Sequence, residues 1–233
     1  DPRAQLARVS RRFFQAPDRD LKVIGVTGTN GKTTVTHLIR HFMQGPDRVG
    51  LLGTISYDLG GRSVPSFKTT PEAPDIQGLL AQMRSAGCRQ AVMEVSSHGI
   101  DQQRVRGMEF AAAVFTNLTR DHLDFHRTME EYAAAKRLLF SPVGGPAPRY
   151  AVLNADDPWS QKMTPAASST TLTYGVSADA SIRATDVESG LQGLRFDVEH
   201  AGSKHKFTSS LTGSINVSNI LAATGVGLSY GME

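Results

Sequence analysis

The stretch VIGVTGTNGKTT, residues 23–34, decides the fold. It begins as a short apolar run, passes through glycines at positions 25, 28 and 31, and ends on Lys32, Thr33 and Thr34 ahead of a helical pattern. This order predicts a strand, a glycine-rich loop and a helix. Glycines let a loop turn its backbone N–H groups inward, and the helix N-terminus adds a positive dipole. The alternative is an ordinary glycine-rich turn between a strand and a helix.

The polar residues of this loop have the chemistry of a nucleoside triphosphate site. Lys32 supplies a mobile positive charge for the outer phosphates, and the Thr33 hydroxyl is a natural Mg²⁺ ligand. The strict G-x-x-x-x-G-K-[ST] spacing would require glycine at position 26, where this chain has Val26, so the loop is a variant of that motif. We expect nucleotide contacts from Gly28, Thr29, Asn30, Gly31, Lys32, Thr33 and Thr34.

The composition describes a globular protein. The 233 residues are 39% hydrophobic and 20% charged, with a net charge of +3 and no basic run dense enough to predict nucleic-acid binding. Cys88 is the single cysteine, which excludes an intramolecular disulfide and fits a reducing compartment. No apolar run reaches membrane-spanning length and no signal peptide is evident, so we expect a cytoplasmic protein without membrane insertion. We also expect a monomer.

Strand and helix patterns alternate through the first 175 residues. The helix after the loop is predicted from about Thr33 to Gln44 and a strand from Val49 to Tyr57, followed by a returning strand near residues 64–67. Short apolar runs at 90–95, 111–117 and 149–154 each end in polar residues, as parallel strands buried on both faces do. The fold class predicted is α/β, a doubly wound, mostly parallel sheet with a P-loop.

The pattern changes near residue 180. Alternating segments joined by glycine-containing turns predict a small antiparallel β-meander over 180–212, appended to the core. Residues 216–229 return to a helical pattern. At the other end of the chain, Leu6, Val9, Phe13 and Phe14 form a helical stripe. Both ends look cut, which suggests a piece of a longer enzyme.

Polar clusters at the predicted strand ends supply the candidate chemistry. Glu94 ends a buried strand, where a carboxylate is costly unless it meets a cation such as Mg²⁺; a buried, hydrogen-bonded carboxylate is the alternative. Arg104 can grip a carboxylate or phosphate with two hydrogen bonds. Residues 121–126 hold two His and two Asp, but no G-x-S-x-G elbow indicates a hydrolase, and no Cys joins them to favour zinc. Lys136, on an alanine-rich helix, is expected to be solvated.

Seven motifs in this order resemble the Mur ligases of peptidoglycan synthesis, and within them the ligases that add the third amino acid of the peptide. The motifs are GTNGKTT, KTTPE, EVSSHGIDQQRV, FTNLTRDHLDFH, YAAAKRLLF, VLNADDP and INVSNILAA. The resemblance implies that residues 21–233 are a central ATP-binding domain and that residues 1–20 are a linker helix from a missing N-terminal domain. The C-terminal domain that carries the incoming amino acid would also be absent.

The resemblance further implies an ATP-dependent, ADP-forming amide ligase that uses Mg²⁺. The D-glutamyl carboxylate of UDP-MurNAc-L-Ala-D-Glu would attack the γ-phosphate of ATP and give an acyl phosphate. The amine of meso-diaminopimelate or L-lysine would then displace phosphate. Charge neutralisation and alignment would dominate such catalysis, because two anions must meet.

Residue roles also follow from the resemblance. His122 corresponds to a ligand of a second Mg²⁺, and Lys136 to a carbamylated lysine whose negative charge would bind or orient that ion. Lys32, Glu94, His122 and Lys136 would thus be catalytic, and Thr33, Glu94, His122 and carbamylated Lys136 would hold metal. Contacts with the muramoyl-peptide are implied for Thr69, Thr70, Ser96, Gln102 and Arg104. Asn216 and Asn219 would lie near adenine or ribose, and His126 receives no role.

Other functions make different demands on the sequence. Another Mur ligase or a folylpolyglutamate synthase would share the fold, but the TTPE and EVSSHG blocks argue against both. A regulatory P-loop ATPase or GTPase should show a Walker-B Asp and an N-K-x-D motif, and neither is found. A fragment that binds nucleotide without ligase activity is the remaining alternative.

Overall fold

The computed structural model describes residues 1–45, 48–177 and 179–232, the side chain of Leu123 apart. The helices are α1 (Pro2–Phe13), α2 (Pro17–Asp20), α3 (Lys32–Met43), α4 (Ala73–Ser85), α5 (Ser97–Asp101), α6 (Leu123–His126), α7 (Met129–Arg137) and α8 (Ile215–Ser229), with a 3₁₀ helix at Pro158–Met163. The strands are β1 (Lys22–Thr27), β2 (Arg48–Leu52), β3 (Ser56–Asp58), β4 (Ser63–Pro65), β5 (Cys88–Glu94), β6 (Ala112–Phe115), β7 (Tyr150–Asn154), β8 (Thr170–Gly175), β9 (Ile182–Gly190), β10 (Gly193–His200) and β11 (Ser203–Ser209).

These strands form one sheet in the order β11-β10-β9-β8-β7-β6-β1-β5-β2-β3-β4. Neighbours from β9 to β2 are parallel, whereas antiparallel pairs form both edges. β1 lies between β5 and β6, so the chain winds from it toward both edges. In such sheets, ligands bind outside the carboxyl ends of the strands at this switch point. The predicted doubly wound, mostly parallel sheet is confirmed.

The central strands of the sheet are buried on both faces, and apolar side chains pack there against a layer of helices on each side. On one face, α3 and α8 pack over Ile24, Val26 and Val152. On the other, α4 and α7 belong to a second core that includes Met93 and Phe115. The two layers fix the ends of β1, β5 and β6 relative to each other, and these ends carry the polar clusters.

The predicted single strand from Val49 to Tyr57 is wrong. The structure divides it into β2 and β3, which pair in antiparallel fashion, and the backbone turns at residues 53–55. The turn is held from outside, since the Thr54 backbone N–H donates to a Glu94 carboxylate oxygen at 2.8 Å. The returning strand near residues 64–67 is present as β4.

Other boundaries differ by a few residues. The helix predicted from about Thr33 to Gln44 is α3, Lys32–Met43, and the antiparallel meander is present as β9, β10 and β11, with β9 continuing the main sheet by parallel pairing to β8. The N-terminal helical pattern is confirmed as α1, but Leu6, Val9 and Phe13 are largely exposed. No helix in the described ranges is long and apolar enough to cross a bilayer.

Candidate functional site

The loop between β1 and α3 has a backbone that glycine alone can adopt without collision. Gly28 has a φ of +151°, and a Cβ there would collide with the Thr116 hydroxyl. Gly31, with a φ of +85°, caps α3 in the left-handed conformation, which glycine enters at little cost. The loop therefore presents its backbone and the start of α3 toward the switch point of the sheet.

The end of β6 holds this loop in place. The Thr116 hydroxyl donates to the Asn30 carbonyl at 2.6 Å, and the Asn30 N–H donates to Asn117 Oδ1 at 2.9 Å. The Thr29 N–H donates to the Asn117 carbonyl at 2.9 Å. Thr116 and Asn117 were not predicted as site residues, although their position after a buried strand is a signal for them.

Lys32 folds back over the loop. Its ammonium donates to the Gly28 carbonyl at 2.9 Å and to the Thr29 carbonyl at 2.7 Å. Burial lowers the pKa of Lys32, and the charge of Glu94 partly opposes this shift. A phosphate bound in the loop could replace these carbonyls as the partner of the ammonium.

Glu94 ends β5 beside β1 and is 1% exposed. The Thr33 hydroxyl donates to its carboxylate, at 3.0 and 3.1 Å from the two oxygens. Among the described residues no lysine or arginine forms an ion pair with Glu94, so its buried charge has hydroxyl and amide partners only. A buried anion with hard oxygen neighbours fits a divalent cation such as Mg²⁺.

Thr54 is a further partner of Glu94 that the sequence did not indicate. Its N–H donates to Oε1 at 2.8 Å and its hydroxyl to Oε2 at 3.1 Å. The same hydroxyl lies 3.0 Å from Thr69 Oγ1. Thr54 thus links the carboxylate to the segment that carries Thr69 and Thr70, and Gly53 allows the approach, because a Cβ there would lie 2.8 Å from Glu94 Oε1.

The segment at Thr70 is joined to the end of β5. The Thr70 side chain is buried; its hydroxyl donates to the Glu94 carbonyl and accepts from the Ser96 N–H, each at 2.9 Å. Thr70 therefore has a structural role, and its contact with a ligand stays a prediction. Arg104 donates to the Thr70 carbonyl at 2.7 Å and to Gln102 Oε1 at 2.5 Å.

Arg104 retains capacity for a ligand. Its guanidinium forms an ion pair with Glu72 at 3.0 Å. Glu72 also pairs with Lys68, at 2.8 Å. Its Nε is buried and has no hydrogen-bond partner among the described residues. Arg104 lines the cleft and is held by Glu72, Gln102 and the Thr70 carbonyl, and a guanidinium fixed in this way is well suited to orient an incoming carboxylate.

His122 lies in a group of aromatic rings. It has a φ of +52°, and its imidazole lies 4.9 Å from that of His98, centroid to centroid. His98 packs on Phe125 at 4.1 Å and lies 5.6 Å from His126. Burial lowers the pKa of both His98 and His126, so the neutral imidazole is favoured at each.

The expectation of a solvated lysine is wrong for Lys136. The residue is 1% exposed because its face of α7 packs behind the loop, and its Nζ donates to the Gly28 carbonyl at 2.9 Å. The ammonium lies 4.4 Å from the Tyr132 ring centroid. Burial, followed by the charge of Lys32, lowers the pKa of Lys136 well below its usual value. Burial thus favours the neutral amine at Lys136.

Asn216 and Asn219 lie at the start of α8, on the far side of the loop. Asn219 Nδ2 donates to Asn216 Oδ1 at 2.9 Å, and a Cβ at Gly31 would collide with Asn219 Oδ1. The two asparagines are thus adjacent to the loop but not in the cleft that contains Glu94. Thr34, half-buried in α3, is also outside the lining of that cleft.

One cleft of about 580 Å³ joins most of these groups. Its lining consists of Thr29, Asn30, Gly31, Lys32, Thr33, Thr54, Lys68, Thr69, Thr70, Glu94, Ser96, His98, Gln102, Arg104 and His122. Most of the predicted phosphate, metal and substrate residues therefore line one cleft, while Gly28 and Thr34 are outside its lining and Lys136 lies behind the loop. Such a cleft can hold two anionic groups side by side, one against the loop and one against Arg104.

The fold and the cleft define a P-loop α/β domain. The chain belongs to the Mur ligase family, since the profile described as the Mur ligase middle domain matches residues 26–227. A UDP-N-acetylmuramoyl-L-alanyl-D-glutamate–2,6-diaminopimelate ligase of Solibacter usitatus is 45% identical over 231 residues, which are 99% of this chain and 47% of that protein.

Solved structures agree with this assignment. The structure of a ligase of the same name has a TM-score of 0.84 at 31% identity, covering 97% of this chain and 48% of the other. MurF ligase from Thermotoga maritima in complex with ADP has a TM-score of 0.71 at 20% identity, covering 100% of this chain and 50% of the other. The chain spans about half the length of the relatives it matches.

Proposed function

We propose that this chain is the central part of an ATP-dependent amide ligase that adds a diamino acid to UDP-MurNAc-L-Ala-D-Glu. The observation that supports this most is the single cleft shared by the phosphate loop, Glu94 and Arg104. A carboxylate and a triphosphate repel each other, so a site that joins them needs cationic groups on both sides. The name of the relatives favours 2,6-diaminopimelate over L-lysine.

In this proposal the two halves of the cleft hold different anions. The backbone of residues 28–31 and the Lys32 ammonium bind the phosphates, while Arg104 orients the D-glutamyl carboxylate. An oxygen of that carboxylate attacks the γ-phosphorus, and the bond from this phosphorus to the oxygen shared with the β-phosphate breaks. ADP departs, and the substrate is now an acyl phosphate. The amine then attacks the acyl carbon, phosphate leaves, and the nitrogen loses a proton.

Thr33 and Glu94 would hold a Mg²⁺ ion, because a hydroxyl and a carboxylate are hard oxygen ligands and the carboxylate lacks an ion pair. When bound, the ion supplies positive charge to the phosphate oxygens. His122 would belong to a second metal position in the same cleft. Lys136 would carry a carbamate, and the lowered pKa of its amine supports this because the neutral amine is the form that reacts with CO₂.

The test uses the full-length enzyme and measures phosphate release with UDP-MurNAc-L-Ala-D-Glu, diaminopimelate and ATP. Lys32→Ala should lower kcat by at least about 10²-fold, as loss of a charge-stabilising group does. Lys162→Ala, which changes an exposed lysine of the 3₁₀ helix, is the matched control. A Lys32→Ala enzyme within threefold of the parent would contradict the role of the loop.

Two further arms test the finer points. Lys136→Ala should be nearly inactive and should regain activity with added short carboxylic acids if the native group is a carbamate; no rescue would contradict this. The 233-residue chain itself should bind Mg²⁺–ATP weakly and form no tripeptide. Tripeptide product from this chain alone would contradict the proposal that the chain is only the central part of the ligase.

A further inference from the structure

Tyr132 touches two separate parts of the site. It is 1% exposed and lies on α7, one turn before Lys136. Its hydroxyl is 3.2 Å from Thr29 Oγ1 in the phosphate loop, and its ring lies 4.4 Å from Lys136 Nζ. One rigid side chain therefore contacts both the loop and the buried lysine.

The surroundings of Lys136 include this ring and the phosphate loop. Lys136 Nζ donates to the carbonyl of Gly28 at 2.9 Å. Lys32 Nζ donates to the same carbonyl at 2.9 Å, so the two lysines share an acceptor, and the charge of Lys32 lowers the pKa of Lys136 further. The Tyr132 ring, whose centroid lies 4.4 Å from Lys136 Nζ, supplies a second contact that packs against the lysine.

The other neighbours of Tyr132 fix the ring. His126 is 4% exposed and stacks on it, with centroids 5.0 Å apart and an interplanar angle of 23°. The Thr29 hydroxyl also accepts from the Thr119 N–H at 3.0 Å. The ring is thus held by a stacking partner at its side and by the loop at its tip.

From these contacts we infer that Tyr132 is a positioning residue, which sets the position of Lys136 relative to the phosphate loop. The hydroxyl fixes the position of the phosphate loop through its contact with Thr29, and the ring fixes the position of the Lys136 side chain. The nucleotide arm of the test below rests on the proposed function, whereas the lysine arm needs no nucleotide. The two contacts can be removed separately.

Tyr132→Phe removes the hydroxyl alone and tests the loop contact. In the 233-residue chain we expect Mg²⁺–ATP affinity to fall about fivefold, the usual effect of losing one hydrogen bond. Protection of Lys136 should be unchanged, because the ring remains. The matched control is Tyr174→Phe, which removes another buried hydroxyl, the one that donates to the Phe115 carbonyl at 3.0 Å.

Tyr132→Leu removes the ring and tests the lysine contact. Lysine acetylation by acetic anhydride, in CO₂-free buffer and read by mass spectrometry, reports the accessibility of each amine. In the parent chain Lys136 should react at least tenfold more slowly than exposed Lys162. In Tyr132→Leu the rate at Lys136 should rise about tenfold. Tyr174→Leu, compared at the same interval below its Tm, controls for general loss of packing and should leave Lys136 protected.

The outcomes separate the inference from the proposed function. Lys136 that reacts no faster in Tyr132→Leu than in Tyr174→Leu would overturn the positioning of the lysine. Nucleotide affinity within twofold of the Tyr174→Phe value would overturn the loop contact. If the parent chain bound no nucleotide, the proposed function would fail for this chain, while the labelling result would still decide the role of the ring.

Discussion

Thr54 offers a direct test of how the candidate metal site is built. Thr54→Val keeps the side-chain shape and the backbone N–H that donates to Glu94 Oε1 at 2.8 Å. It removes the hydroxyl that donates to Oε2 at 3.1 Å and contacts Thr69 Oγ1 at 3.0 Å. The carboxylate would then keep Thr33 as its hydroxyl partner but lose one of the groups that fix its orientation.

The size of the effect follows from this geometry. A hydrogen bond to a charged group contributes about 1.5–3 kcal/mol, and partners of metal-ligating carboxylates typically change metal affinity about 10–100-fold. Thr54 is exposed, so water can replace its hydroxyl and the lower end of the range applies. We therefore expect the apparent Mg²⁺ affinity to fall about tenfold, equivalent to ~1.4 kcal/mol.

The assay is a titration of Mg²⁺ into the chain with a fluorescent ATP analogue at fixed concentration. Thr54→Ser is the matched control, because it keeps the hydroxyl and should bind Mg²⁺ as the parent does. Thermal unfolding of both variants shows that the fold is intact. If Thr54→Val bound Mg²⁺ within twofold of the parent while still binding nucleotide, Thr54 would not orient the metal-binding carboxylate.

Two more predictions concern the loop and the ring cluster. Gly28→Ala should lower stability and remove nucleotide binding, because its Cβ would collide with the Thr116 hydroxyl; a parent-like Tm and affinity would refute this. For His126, burial lowers the pKa from the model-peptide value of 6.5, so the unfolded chain takes up a proton before the folded one as pH falls. The free energy of unfolding should therefore drop between about pH 7.5 and about pH 5.5. In His126→Phe, whose ring can still stack, urea unfolding at the two pH values should show a smaller drop. An equal drop in the variant and the parent would refute this.

Much of the fold could be predicted because its signals are local. The apolar run before Gly28, the helical spacing after Lys32 and the buried runs ending near Glu94 each report on their own segment. The division of residues 48–58 into two strands could not be predicted from that segment. The turn at Thr54 is held by Glu94, which lies 40 positions later in the chain.

The candidate site shows the same division. Polar residues that follow buried strands were recognised, and Lys32, Thr33, Glu94 and Arg104 do meet in one cleft. Local reasoning failed for Lys136, because an alanine-rich helix does not reveal which face is buried. The resemblance to Mur ligases implied carbamylation of Lys136 but not its burial. The tertiary structure places it behind the loop, and this burial lowers its pKa.

The sequence by itself determined the phosphate loop, the β/α alternation and the family, because each is written in contiguous residues. The tertiary structure alone decided which side chains surround Glu94 and Lys136. Placing β5 beside β1 brings Glu94 to Thr33, and packing α7 behind the loop brings Tyr132 to Thr29. Such contacts depend on strand order and layer packing, which the periodicity of a single segment does not encode.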